Sequence, residues 1–176
     1  MRVLSIDPGQ TSGWCYYRSD EGSIISGTWD LKVMSATKKR VAEPKHHRLV
    51  KLWKCLSEYV TTVDLVVVEG AQSFKRGLAA VESSHKFRGV IELFCGLHGI
   101  EIVMVQPADV KRFVTGDSVA DKDRMSVSVF SRWGFKGSDD NECDSYAVMR
   151  WALEFLPQLK DCWLRRPLPN KNEEQK

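Results

Sequence analysis

Apolar positions near the start of the chain come in short runs bounded by turn residues, and later ones recur every three or four residues. Val3, Leu4 and Ile6 form a run ending on Asp7, after which Pro8-Gly9 with Thr11, Ser12 and Gly13 turns the chain. Strands are predicted over Gly13 to Arg18 and Ser23 to Leu31, separated by a hairpin loop at Ser19-Asp20-Glu21-Gly22. Leu49, Leu52, Trp53, Leu56 and Val60 share one helical face, so Lys45 to Val60 is predicted as an amphipathic helix with Pro44 at its first turn. The unbroken run Leu65 to Val68 makes Asp64 to Glu69 a strand buried on both faces, in a central, parallel position.

Ala71 to Lys86 reads as a loop turning into a helix that continues through Val90, Ile91, Leu93, Phe94 and Leu97 to a stop at Gly99. Glu101 to Val105 is the last strand. Two short helices, Pro107 to Val114 and Lys122 to Trp133, flank a loop at Thr115 to Asp121, and a final helix runs from Asp139 to Leu156. The order is α/β: a three-strand antiparallel meander plus two parallel strands in a five-stranded mixed sheet flanked by helices, which is the order of the ribonuclease H-like fold. Residues 1–160 are expected to form a single domain, and 161–176 a polar, disordered tail with Pro167 and Pro169.

Composition changes this picture little. The 176 residues are 43% hydrophobic and 28% charged, as in an ordinary globular protein, and no segment has the unbroken apolar length of a membrane span. The chain enters a strand at once, leaving no room for a signal peptide, so a cytoplasmic location is expected. Its five cysteines, Cys15, Cys55, Cys95, Cys143 and Cys162, are far apart and form no CxxC pair, which points to neither a disulfide framework nor a thiolate zinc site. The net charge of +3 is modest but unevenly placed. Between Lys38 and Lys54 lie Lys38, Lys39, Arg40, Lys45, Arg48, Lys51 and Lys54 against Glu43 alone, which suits either a solvated helix face or a polyanion such as nucleic acid.

The acids carry the candidate chemistry. Asp7 ends the first strand beside tight backbone, where it serves either to hydrogen-bond the turn or, paired or metal-bound, as part of a site. Glu69 ends the fourth strand, and in an open sheet of this order the two strands are neighbours with their carboxylates facing. On the last helix Asp140 and Asp144 are four residues apart and Asn141 and Asp144 three, so each pair shares a helix face. Such a cluster is strongly repulsive without cations. With two Mg²⁺ ions roughly 4 Å apart it becomes a device for in-line phosphodiester hydrolysis.

In order and spacing, several segments from Met1 to about Ala152 resemble the RuvC family of Holliday-junction resolvases. They are Ile6-Asp7-Pro8-Gly9 with Ser12-Gly13, Val67-Val68-Glu69, Arg88-Gly89, Pro107-Ala108-Asp109-Val110-Lys111, Thr115-Gly116, Ala120-Asp121-Lys122, and Cys143-Asp144-Ser145-Tyr146-Ala147. The resemblance implies a homodimeric endonuclease that uses Mg²⁺, with Mn²⁺ as a substitute, to nick a four-way DNA junction symmetrically, with no nucleotide cofactor and no membrane partner. It further implies Asp7, Glu69 and Asp144 as metal ligands, and Lys111 and Lys122 near the scissile phosphate. By the same resemblance Phe74, with Lys75 and Arg76 after it, is a base-stacking or wedging aromatic, and Arg88 is a DNA contact. Where the family has an acid or histidine three residues before its last aspartate, this chain has Asn141, which can offer a neutral oxygen to a cation but cannot act as a base. Either Asp140 substitutes or the second metal is held more weakly.

Three other readings fit parts of the chain. Asp7 to Gly13 also resembles the phosphate-binding turn of actin-like ATPases and sugar kinases, but the duplicated body and second Gly-rich site those need are missing. A nuclease-fold module that binds branched DNA without cutting it, or a broader flap and fork nuclease, is the remaining alternative.

Overall fold

Period-two alternation explains how the sheet is covered. In a computed structural model, which describes residues 1–37, 41–59, 61–70 and 78–159, β1 (Arg2–Asp7), β2 (Thr11–Arg18), β3 (Ser23–Asp30), β4 (Leu65–Glu69) and β5 (Glu101–Val105) form one sheet ordered β3-β2-β1-β4-β5. The β1–β2 and β2–β3 pairs are antiparallel, and the β1–β4 and β4–β5 pairs are parallel. The fold is the expected five-stranded mixed sheet, with β4 between β1 and β5.

Helices α1 (His47–Ser57) and α2 (Leu78–His98) cover one face, and α3 (Pro107–Thr115), α4 (Lys122–Trp133) and α5 (Asp140–Phe155) the other. Leu4, Ile6, Val66 and Val68 point into the α1/α2 core with Leu52, Leu56, Phe87 and Ile91, whereas Val3, Leu65 and Val67 meet Ala147, Val148 and Met149 of α5. The uninterrupted Leu65–Val68 run is thus two alternating faces, each with its own core. Leu52 and Leu56 are buried to within 1% of complete, and each such side chain stabilises the fold by about 1.5–3 kcal/mol. Ser5, also fully buried, sits among these apolar neighbours because its hydroxyl lies 2.8 Å from the Ser145 carbonyl and 3.3 Å from that of Cys15, fixing α5 to β1.

Several boundaries differ from expectation. α1 spans His47–Ser57 rather than Lys45 to Val60, because the chain leaves it in turns after Ser57 that bring the Tyr59 ring against Trp14, Tyr16 and Trp29. Val60 lies outside the described residues. β2 begins at Thr11, two residues early, since Thr11 already pairs with Asp30. Asp64 stands just ahead of β4, where it accepts from the Arg2 backbone N–H at 2.7 Å and the Arg2 guanidinium at 3.0 Å. Lys38, Lys39 and Arg40 lie outside the described residues, as does 161–176. No described helix is long and apolar enough to cross a membrane.

Candidate active site

The alternation that sorts the core also aims the acids. Asp7 follows Val3 and Ser5 on the α5 side of β1, and Glu69 follows Leu65 and Val67 on the same side of β4. Register pairs Ile6 with Val68, so Asp7 and Glu69 end adjacent parallel strands one residue further on. Asp144 approaches from α5, whose N-terminal end lies against β2 through an unusually close contact. A Cβ on Gly13 would stand 1.7 Å from the Asn141 carbonyl oxygen, and Gly13 is the register partner of Asp7. Only a glycine lets the helix lie so low over the strand, and that depth brings Asp144 to the strand ends.

Glu69 and Asp144 are both perturbed by burial and by Asp7. Burial first, then the charges of Asp7 and Asp144, holds Glu69 well above the usual carboxylate range, and Glu69 also shares a hydrogen bond with Asp7, while Lys111 opposes the shift. Asp144 is pushed up to about 7, mainly by burial and then by Asp7, with Asp140 adding to the effect and Lys122 and Lys111 opposing it. Lys111 is anchored by donating to the Ala120 carbonyl at 2.6 Å, which leaves two of its three ammonium protons for other acceptors. Lys122 pairs with Asp140 at 3.1 Å, both groups being more than half exposed, and the Lys122 pKa is raised chiefly by that hydrogen bond. A pair so open to water is worth about 0–1 kcal/mol, so an arriving phosphate or cation can take either partner at little cost.

Among the described residues no group of three or more His, Cys, Asp or Glu side chains is gathered closely enough to hold a metal ion. The centre is instead a hydrogen-bonded pair, Asp7 and Glu69, with Asp144 in its field. A shared proton and a bound cation are alternative ways of offsetting the same repulsion, and an all-carboxylate donor set suits a hard divalent ion.

Glu142, two residues before Asp144, shows the contrast. It is buried, yet it accepts from Ser26 Oγ at 2.7 Å and from the Ser138 backbone N–H and hydroxyl, each at 2.6 Å. Burial would raise its pKa, but these donors outweigh burial and hold it low. Glu142 is therefore a satisfied strut that fixes the start of α5 to β3, whereas Glu69 is held up by burial and then by other acids. Sequence reasoning missed this strut. Its signal was the capping pattern Asp139-x-x-Glu142, whose Asp139 side chain accepts from the Glu142 N–H at 2.9 Å.

The structure thus brings Asp7, Glu69, Asp144, Lys111, Lys122 and Asp140 into one electrostatic neighbourhood. Asn141 is in the first turn of α5, with its backbone carbonyl over Gly13. Phe74, Lys75 and Arg76 lie outside the described residues. Arg88, a DNA contact by the resemblance, is only 7% exposed on the inner side of α2; its Nη2 has no hydrogen-bond partner among the described residues, and the charges of Glu92 and Glu69 act on it.

No family model matches the chain. Similarity to individual proteins is more informative. A crossover junction endodeoxyribonuclease RuvC from Corynebacterium glutamicum is 26% identical over 99% of this chain and 80% of its own length. The RuvC of Oleidesulfovibrio alaskensis is 28% identical over 89% of this chain and 94% of its own. That of Rhodopirellula baltica is 31% identical over 72% of this chain and 70% of its own. The chain belongs to the RuvC family. Two solved RuvC structures from Thermus thermophilus, one alone and one in complex with a Holliday junction substrate, match its fold at TM-scores of 0.60 and 0.61, each with 20% identity over 84% of this chain and 90% of the other. The likeness to the RuvC structures covers the fold whose β1 and β4 end on Asp7 and Glu69.

Proposed function

We propose that the protein is a divalent-metal-dependent endonuclease that resolves four-way DNA junctions by paired nicks, residues 1–160 forming its nuclease unit. The carrying observation is the juxtaposition of Asp7, Glu69 and Asp144, a half-buried acidic set in which burial and the charge of Asp7 raise both Glu69 and Asp144, in contrast to Glu142 with its serine donors. Asp7, Glu69 and Asp144 would hold Mg²⁺, two ions in the full complement, with Mn²⁺ able to substitute. Asp140 or Asn141 would be the fourth ligand. The metal, when bound, supplies an activated water and a counter-charge for the leaving oxygen.

The chain's own residues do the rest. Lys111, held by the Ala120 carbonyl, and Lys122, loosely paired with Asp140, place positive charge where negative charge develops on phosphate. Phe74, Lys75 and Arg76, in the segment after β4, would contact the junction bases and backbone. Two identical subunits would supply the two symmetric cuts. Support for a homodimer comes from α2, where Leu93 and Leu97 are exposed and nothing lies within 4 Å of a Cβ placed on Gly89 or Gly96, a face open to a second helix.

The test is cleavage of synthetic four-way, three-way, flap and linear DNA with Mg²⁺. Symmetric nicks confined to the four-way substrate are expected, and Asp144→Asn should reduce them on the order of 100-fold or more while junction binding persists. Preferential cutting of flaps would reassign the protein as a broader branch nuclease. Binding with no Asp144-dependent cut would favour the non-cutting module, the reading to which Asn141 lends weight.

A further inference from the structure

A groove of about 510 Å³ opens beside the Lys122–Asp140 pair, between α4 and the segment leading into α5. Its lining includes Ser126, Val127 and Phe130 on α4, Phe135 and Ser138 on the opposite wall, and Cys143. Val127 and Phe130 are 68% and 58% exposed, a large apolar outlay outside the stripe by which Met125 and Val129 fix α4 to the core. Lys122, Ser126 and Phe130 lie four residues apart in turn, so one stripe of α4 leads from the Lys122–Asp140 pair into the groove. At 1.5 Å per residue that stripe is about 12 Å long, the length of a few stacked nucleotides at about 3.4 Å each.

The far wall is rigid. The Phe135 ring stacks on Tyr146 with centroids 3.9 Å apart and planes within 2°. Ser138 is clamped by Glu142 through both its N–H and its hydroxyl. Gly137 packs so tightly that a Cβ there would lie 3.0 Å from the Asp139 carbonyl oxygen and 3.1 Å from the Cys143 nitrogen. An apolar slot that exposes Phe130, is lined by Lys136 and Asp140 and is reached from Lys122 through its pair with Asp140 has the chemistry of a base-stacking subsite: aromatic contact for the base and ammonium groups for the adjoining phosphates.

We propose that this groove receives an unpaired base of the cleaved strand next to the scissile phosphate, stacked on Phe130, and so sets the sequence preference of cutting. The inference rests on the nuclease reading for its setting, but its chemistry can be read out separately. Single-turnover cleavage is measured on junctions with all four bases permuted at each position flanking the cut. In parallel, 2-aminopurine is placed at each of those positions and its fluorescence followed on binding in Ca²⁺. The wild-type protein should prefer one base at one position by about tenfold and quench 2-aminopurine there. Phe130→Ala should flatten the preference to within about twofold and abolish the quenching. Phe130→Leu, which keeps the volume at an exposed position and removes only the ring, should also lose the quenching.

Wild-type cutting with a preference and quenching that both variants retain would overturn the subsite and leave the nuclease standing, as would wild-type cutting with no base preference. Phe130-dependent quenching without Asp144-dependent cutting would uphold the subsite and remove the nuclease reading. Neither cutting nor quenching would remove both.

Discussion

Glu69 and Glu142 are both acids held by the fold, and their environments push them in opposite directions. Donors from Ser26 and Ser138 keep Glu142 ionised, whereas Glu69 faces Asp7 and Asp144 and is driven toward its protonated form. Asp144 shares that predicament, with a pKa of about 7 against an ordinary 3.8. An acid whose pKa rises on folding binds protons more tightly in the native state, so its stabilising contribution is complete below the unfolded value and disappears as pH rises through the folded one. Metal-free protein should therefore lose thermal stability between about pH 4 and 7, by at most a few kcal/mol, since each tenfold gain in proton affinity on folding is worth about 1.4 kcal/mol. Scanning calorimetry in chelator checks this: Asp144→Asn should remove much of the slope, and Mg²⁺ should raise the melting temperature more at pH 8 than at pH 5, because only ionised carboxylates bind it. An equal slope in both proteins would contradict the assignment.

Elements deliver these residues, and α5 does so most visibly. Its N-terminal end is fixed by the Glu142 strut, by the Ser5 contact with Ser145 and by the absence of a side chain at Gly13. Gly13→Ala should lift the helix from β2, costing about 1–3 kcal/mol in urea unfolding and lowering cleavage more than junction affinity. The strands, α5 and the positions of Asp7, Glu69 and Asp144 were legible in the sequence because short-range periodicity and strand ends are local signals. The Leu65–Val68 run announced a strand covered on both faces. What escaped depends on residues far apart in the chain: Gly13 against Asn141, Ser26 against Glu142, and the burial of Arg88 on α2. The end of α1 was overextended because Val60 continues the helical spacing, whereas the ring contacts of Tyr59 reward leaving the helix earlier.

At the scale of the whole molecule, the two faces of the sheet divide the work. The α3–α5 side carries the acids, the two lysines and the groove, and the α1–α2 side leaves Leu93 and Leu97 exposed. If α2 carries the subunit contact, Leu93→Glu combined with Leu97→Glu should give a monomer in sedimentation velocity, with the core intact because neither side chain is buried. The same variant should convert paired cuts into single nicks, since each subunit keeps its own acids. A dimer that survives both substitutions would move the contact elsewhere.

The span between the first and last members of the acidic set has a further consequence during synthesis. Asp7 leaves the ribosome 137 residues ahead of Asp144, which arrives on a helix whose seat on β1 is the Ser5–Ser145 contact, 140 residues apart in sequence. At about 5–20 residues per second the interval is on the order of ten seconds, during which the nascent chain holds only part of this acidic set. If the set is the cutting centre, fragments terminated before α5 should leave DNA uncut.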